Sequence, residues 1–275
     1  MESMTEAIRI FVGCSANGED AESQGMFEYT VRKFSSMPVD ITWMKLSNDP
    51  ASPWYSNPKK GEGWNTRGWA TPFSAFRWAI PHVCGFRGKG IYNDVDQIYC
   101  ADPAELWNQK IPDGKAILAK SPNTHCVLLF DCERAKKFIV PFDQLRSREG
   151  LYRQVRNNIG GAIAPFQGNW NCLDGEKYKS LADPEIKLIH FTKVETQPHL
   201  KWAMPRLKAS GRQHWNAFTL RADKPQPHAH PEVQPMVDRL WDEAQAEGYT
   251  ADRYEPSADE MFGSYDAVRG GKRAA

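Results

Sequence analysis

Short apolar runs, separated by polar or helix-periodic stretches, pattern the first two thirds of the chain. Ile8-Arg9-Ile10-Phe11-Val12-Gly13-Cys14 reads as a buried strand ending at a glycine-containing turn. Residues from Ser15 to Ser23 are small and polar, a loop beyond the strand's C-terminal end. Met26 to Phe34 places apolar residues at helical spacing, and Val39 to Leu46 alternates as a second strand. Such a β-α-β opening predicts a parallel pair joined by a right-handed crossover. Ser47 to Gly68 is rich in Pro, Gly, Asn and Ser, with Trp54, Tyr55 and Trp64 embedded. A loop of that length serves as a lid, or as a surface excursion packed by its own aromatics. Thr71 to Ile80 predicts a helix with Pro72 in its first turn and Phe73, Phe76 and Ile80 on one face, with Arg77 close to that stripe.

Farther on, Gly90-Ile91-Tyr92-Asn93-Asp94-Val95-Asp96 is an apolar lead-in running into two aspartates. Asp102 to Trp107 predicts a short helix N-capped by Asp102. Ala116–Ala119 and Cys126–Phe130 are two further buried strands, with Lys120 to His125 a polar turn between them. Asp131–Phe138 and Phe142–Asn158 read as helices. Lys187-Leu188-Ile189-His190-Phe191 is the last strand, with a histidine at its end. The pattern loosens after Pro205. Ala222 to Pro235 reads as a Pro-rich linker, in which His228 and His230 could take a metal but fit a solvated segment better. Val237 to Glu247 is amphipathic, and the basic end, Gly270 to Ala275, is expected to be disordered. The expected division is a domain over 1–205 and a C-terminal extension over 206–275.

Composition narrows the class. Hydrophobic residues at 41% and charged residues at 25% suit an α/β domain with a core, and a formal net charge of +1 gives no general attraction to nucleic acid. The six cysteines show no Cys-x-x-Cys spacing, which argues against a zinc site and for reduced thiols in a cytoplasmic protein. No run is long and apolar enough to span a membrane, and the first apolar run is too short for a signal peptide. The C-terminal segment lacks a strong basic-aromatic helix, so membrane contact is at most peripheral.

The candidate chemistry starts at Asp94 and Asp96. Two carboxylates at i and i+2, just past a strand, can both approach one hard divalent ion, and such ions are commonly shared with a substrate's phosphates. On its own an Asp-x-Asp pair is common in surface turns. Its neighbours add weight: the first strand, the Pro-Phe-Ser-Ala-Phe-Arg segment, Ile91–Asp96 and Lys187–Thr192 stand in an order that resembles the retaining glycosyltransferases of family eight, the GT-A group that includes glycogenin and bacterial lipopolysaccharide galactosyl- and glucosyltransferases. The likeness extends from about Ile8 to Trp202 and includes Trp170-Asn171.

The resemblance implies an α/β GT-A fold, a Rossmann-like mixed sheet flanked by helices. It implies a hexosyltransferase that moves sugar from a nucleotide-sugar, UDP-linked, to an acceptor hydroxyl on a saccharide, glycolipid or other molecule, with retention of configuration. By the same resemblance, Mn²⁺ (or Mg²⁺) would be held by Asp94, Asp96 and His190, and the donor would contact Val12, Gly13, Cys14, Ser15, Arg77, Asn93, Asp94, Val95, Asp96 and Lys193. Asp94, Asp96 and Arg77 would serve the reaction itself. The sequence departs from the family at Lys193, which stands where glycine is usual, and at Gln197-Pro198-His199, which replaces Lys-Pro-Trp and leaves Lys193 and Lys201 as the candidate phosphate lysines. Arg148-Glu149-Gly150 lies where the family has Asp-Gln-Asp. Two other readings stand beside this one. A nucleotidyltransferase also needs Asp-x-Asp, but the acidic Gly13–Asp20 stretch speaks against its basic phosphate loop. A non-catalytic nucleotide-sugar-binding or scaffold protein would explain the missing motifs.

Overall fold

The computed structural model describes residues 6–174, 176, 183–215 and 226–263. In chain order the strands are β1 (Ile8–Gly13), β2 (Val39–Met44), β3 (Ser56–Asn57), β4 (Glu62–Gly63), β5 (Lys89–Asp94), β6 (Gln97–Tyr99), β7 (Ile117–Ser121), β8 (Thr124–Asp131), β9 (Ile163–Pro165), β10 (Cys172–Leu173) and β11 (Leu188–His190). The α-helices are α1 (Ala21–Phe34), α2 (Ile80–Val83), α3 (Pro103–Trp107), α4 (Cys132–Ala135), α5 (Phe142–Ser147), α6 (Leu151–Asn158), α7 (Leu200–Ala209) and α8 (Val233–Ala246). A six-stranded mixed sheet of order β2-β1-β5-β8-β7-β9 forms the centre, and a smaller sheet, β10-β11-β6, stands beside it.

β1 is parallel to both β2 and β5, as the β-α-β opening predicts. Strands buried on both faces need apolar residues at odd and even positions alike. Ile10 and Val12 accordingly join Val127 and Leu129 in the layer under α1 and α3. Phe11, Tyr92, Leu128 and Phe130 fill the opposite layer. There the Ser47–Gly68 segment packs on its own aromatics: Trp54 and Trp64 stack with centroids 6.5 Å apart, and Phe76 lies 4.7 Å from Trp54. Of the two readings of this loop, the packed excursion fits the rings.

Several expectations are corrected. The segment from Thr71 is not helical in its first turn: a 3-10 turn spans Phe76–Ala79 and runs into α2. Thr71 and Ser74 hydrogen-bond each other's side chain and backbone instead. The polar turn between β7 and β8 is shorter than Lys120–His125, because Ser121 and Thr124 already pair across the hairpin. Phe142–Asn158 divides into two helices where Gly150 takes φ +69°, the left-handed region that glycine enters without a steric cost. The helix expected over Asp131–Phe138 is shorter, running as α4 over Cys132–Ala135 and capped by Asp131, whose carboxylate accepts from the Arg134 amide.

Among the described residues past 200, α7 and α8 both pack against α1. α7 continues through Pro205, across the expected boundary. Arg206 holds that turn: its Nε and Nη2 each lie 2.6 Å from the buried Glu22 carboxylate on α1, and Nη2 also donates to the Gly18 carbonyl. α8 buries Val237, Leu240, Trp241 and Ala244, in a cluster that includes Met26 and Tyr29 of α1 and Ile98 and Ile189 of the small sheet. Within Ala222–Pro235, residues 226, 227, 229, 231, 232 and 235 are exposed as a solvated linker would be, but its two histidines are anchored. His228 is buried, its ring 5.9 Å edge-on to Phe191, and His230 meets the Glu176 carbonyl at 3.1 Å. Residues 222–225 and the expected basic end, Gly270–Ala275, lie outside the described residues.

His199, at the start of α7, is 2% exposed and its Nε2 has no hydrogen-bond partner. Burial, with His214 and Arg206 close by, lowers its pKa from 6.5 to about 3. Asp20 stands 3.8 Å beyond, on His214. Between pH 6.5 and about 3 the unfolded chain therefore holds a proton here that the folded chain does not, so stability falls on acidification through that window. Urea titrations of wild type and His199→Gln at pH 7 and pH 5 are expected to show wild type losing about 2 kcal/mol more than the variant. Equal losses would refute the assignment.

Candidate functional site

The site grows from the alternation along β5. Tyr92 and Asp94 share one face of the strand, and Asn93 points to the other. The Tyr92 hydroxyl donates to Asp94 Oδ1 at 2.5 Å, and Arg77 Nη2 reaches the same oxygen at 3.2 Å. The Arg77 guanidinium lies 4.5 Å above the Tyr92 ring and also donates to the carbonyls of Ser74 and His125. Arg77 is thus aimed at the carboxylate by three fixed points. On the opposite face, Asn93 is wholly buried, donating to Gln97 at 2.7 Å and accepting from the Tyr99 hydroxyl at 3.0 Å. These bonds close the tight turn between β5 and β6 that presents Asp96.

His190 arrives from the other end of the chain. β11 runs antiparallel to β6 with His190 opposite Gln97, which sets the imidazole beside the turn. Its Nε2 stands 3.2 Å from Asp96 Oδ1 and 3.9 Å from Asp94 Oδ2. Nδ1 lies 2.9 Å from the side-chain oxygen of Asn171, so Nδ1 carries a proton and Nε2 faces the carboxylates. Both aspartates of the expected ligand set thus lie beside His190, although the side chains whose ligand atoms all fall within 4.8 Å of one another are Asp94, Cys126 and His190. Burial raises the Asp96 carboxyl pKa, and His190, buried too, is held well above its ordinary value by Asp96. Nε2 thereby faces both carboxylates at once.

Residues that sequence reasoning passed over hold this arrangement. Gln197 donates to Asp96 Oδ2 at 2.7 Å and to the Phe191 carbonyl at 2.9 Å. The Asp174 carboxylate accepts from the amides of Thr192 and Lys193 and from the hydroxyls of Thr192 and Thr196, pinning the loop after His190. Asp20 accepts from the Ser15 amide at 2.7 Å and so ties down the loop after β1. No local motif marks Gln197 or Asp174, because Gln197 holds a residue 101 positions away and Asp174 holds residues 18 to 22 positions away.

The expected donor residues divide. The side chains of Val12, Cys14 and Val95 belong to the apolar layer under the sheet, leaving only backbone at the strand ends, and burial pushes the Cys14 thiol up to about 12. Lys193 is exposed, whereas Lys201 is paired with Asp238 on α8. Glu149 is exposed and lies 3.6 Å from Arg67. Gly13 is needed for its lack of a side chain: a Cβ there would fall 2.8 Å from Phe73 Cδ2 and 2.9 Å from the Tyr92 hydroxyl oxygen. Gly13→Ala is accordingly expected to push Tyr92 off Asp94 and cost about 1 to 3 kcal/mol in urea unfolding. Unchanged stability would show that Phe73 and Tyr92 give way without cost.

No family model matches the chain. Protein CDI of Arabidopsis thaliana is 27% identical over 220 residues, covering 70% of this chain and 80% of the relative. Among solved structures, the glycosyltransferase GlyE of Streptococcus pneumoniae superposes with a TM-score of 0.50 at 13% identity, over 89% of this chain and 64% of GlyE. The bifunctional glycosyltransferase WbbM gives 0.49 at 12% identity, and the chain spans only 48% of WbbM's length. The galactosyltransferase LgtC, solved with donor and acceptor sugar analogs, gives 0.47 at 10% identity, over 74% and 95% of the two chains. The likeness to GlyE agrees with the mixed sheet described above and places the fold in the GT-A class.

Proposed function

We propose that the protein is a metal-dependent glycosyltransferase that moves a hexose from a nucleotide-sugar, UDP-linked, to an acceptor hydroxyl with retention of configuration. The observation that carries this reading is the meeting of Asp94, Asp96 and His190 at one edge of a GT-A sheet, with Arg77 fixed on Asp94. Two carboxylates and an imidazole suit Mn²⁺, or Mg²⁺ with more water in its shell. When bound, the ion would neutralise charge on the donor's diphosphate as a Lewis acid. The chain's own residues do the rest. Arg77 orients Asp94 and adds positive charge near the phosphates. Gln197 and Asn171 keep Asp96 and His190 turned inward. Lys193, exposed on the loop that Asp174 pins, is the lysine available to a phosphate. Retention needs no separate general base, since the acceptor hydroxyl can attack from the leaving group's face and pass its proton to the departing phosphate. Saccharides and glycolipids both offer such hydroxyls. Among the described residues no helix is long and apolar enough to cross a membrane. We place the protein in the cytoplasm, where its free thiols stay reduced.

A thermal-shift screen of UDP-sugars with Mn²⁺, followed by an assay for UDP release, tests the proposal. A donor that binds the folded state at a hundredfold excess over Kd stabilises it by about 2.7 kcal/mol, which raises the melting temperature. Stabilisation together with UDP release is the expected result. Binding without release would favour the scaffold reading, and no metal-dependent shift with any UDP-sugar would refute the donor assignment.

A further inference from the structure

One thiol at this edge has so far had no part in the chemistry. Cys126 lies in an apolar strand, where a free cysteine ordinarily behaves as a small hydrophobe. The register of β8 against β5 gives it a different place. The two strands run antiparallel, with Tyr92 opposite Leu128 and Asn93 opposite Val127. One step on, Asp94 stands opposite Cys126, and by the strand alternation the two side chains share a face. Leu128 and Phe130, two and four residues along β8, point into the same layer as Tyr92. Asp94, Cys126 and His190 each offer a ligand atom, and these atoms all lie within 4.8 Å of one another. The backbone there is fixed as well, because Gln97 holds the Cys126 carbonyl at 3.1 Å. Cys126 is half-buried, open enough for an ion to reach its sulfur.

We propose that Cys126 is a ligand of the metal centre, so that the ion is held by sulfur, nitrogen and carboxylate oxygen together rather than by the oxygens and imidazole alone. This rests on the metal-centre reading above and adds to it a soft donor that lets the centre hold borderline ions as well as Mn²⁺. Thiolate and imidazole suit borderline ions such as Zn²⁺ and Co²⁺, whereas Mg²⁺ takes oxygen ligands and gains nothing from sulfur. A coordinating thiol binds as the thiolate. The arrangement accounts for a cysteine at the one position of β8 that faces the aspartate. Serine there could not supply a soft donor.

Cobalt titration of the full-length protein tests this. Co²⁺ bound by a thiolate gives a near-ultraviolet sulfur-to-metal charge-transfer band, and its visible d–d bands report binding whatever the ligands. Wild type is expected to show both. Cys126→Ser and Cys126→Ala are expected to lose the charge-transfer band, keep the d–d bands, and lose at least about tenfold in Zn²⁺ affinity with Mg²⁺ affinity unchanged. Far-ultraviolet circular dichroism of the metal-free variants checks that they fold. A wild-type cobalt complex without the band, or a band that survives in both variants, overturns the role of Cys126 and leaves the carboxylate–histidine centre standing. Cobalt binding that is unaffected by Asp94→Ala and His190→Ala overturns the centre itself, and with it the sulfur ligand.

Discussion

Asp94→Asn is expected to lower turnover of the UDP-sugar by about 10³-fold or more while leaving the fold intact. The substitution keeps the side chain's volume but removes the charge on which the site converges. Asp94 takes the Tyr92 hydroxyl and Arg77 on one oxygen and faces His190 with the other. An amide in its place gives the ion a weaker ligand and leaves the Arg77 cation without its partner. Loss of one preorganised electrostatic contact in an active site typically costs 10²- to 10³-fold, and here ion binding falls as well. Asp96→Ala is expected to act in the same direction, freeing the Gln197 amide as it does so. UDP release under saturating donor and Mn²⁺ is the measurement, with thermal melting of the metal-free variants as the control. If both variants turn over at the wild-type rate, the site lies elsewhere.

The largest effect on stability is expected at Arg206→Met, a loss of about 3 to 5 kcal/mol in urea unfolding. Glu22 is 2% exposed on its side chain, and Arg206 is the cation on both of its oxygens. Removing one member of a buried pair leaves the other charge desolvated and uncompensated, whereas replacing both with apolar residues is often neutral. Glu255 is cushioned, because Arg212 holds it at 2.7 Å from two nitrogens. The double variant Arg206→Met, Glu22→Leu is therefore expected to recover most of the lost stability. A double variant as unstable as the single one would place the effect in packing around α7 instead.

The expected ligands Asp94, Asp96 and His190 stand out in the sequence because each ends a strand or follows one directly. Asp94 and Asp96 follow an apolar run, His190 closes another, and an α/β sheet gathers strand ends along one edge. The β1–α1–β2 opening was legible for a similar reason, since its period changes from two to 3.6 and back. Cys126 was not, because an apolar strand with one cysteine looks the same whichever residue lies opposite, and only the pairing with β5 reveals Asp94. Gln197 and Asp174 act across the fold through single hydrogen bonds that leave no periodic trace. Helix ends were misjudged where one residue overrides a good pattern, as at Gly150. The Pro-rich stretch was half legible: its composition suits its exposed residues, yet His228 packs against Phe191, a tertiary contact that composition does not encode.

The distance along the chain between the halves of the site also has a consequence for the newly made protein. Gln197 and the aspartate it holds are 101 residues apart. At a translation rate of about 5 to 20 residues per second, the Asp-x-Asp turn is synthesised about 5 to 20 seconds before its far partners exist. Through that interval the two carboxylates have neither imidazole nor amide to set them. The nascent chain thus offers passing cations only a weak, open pair of acids. On the metal-centre reading proposed above, high-affinity loading would wait until the small sheet closes, so the finished protein would choose the ion and not whichever one meets the ribosome first.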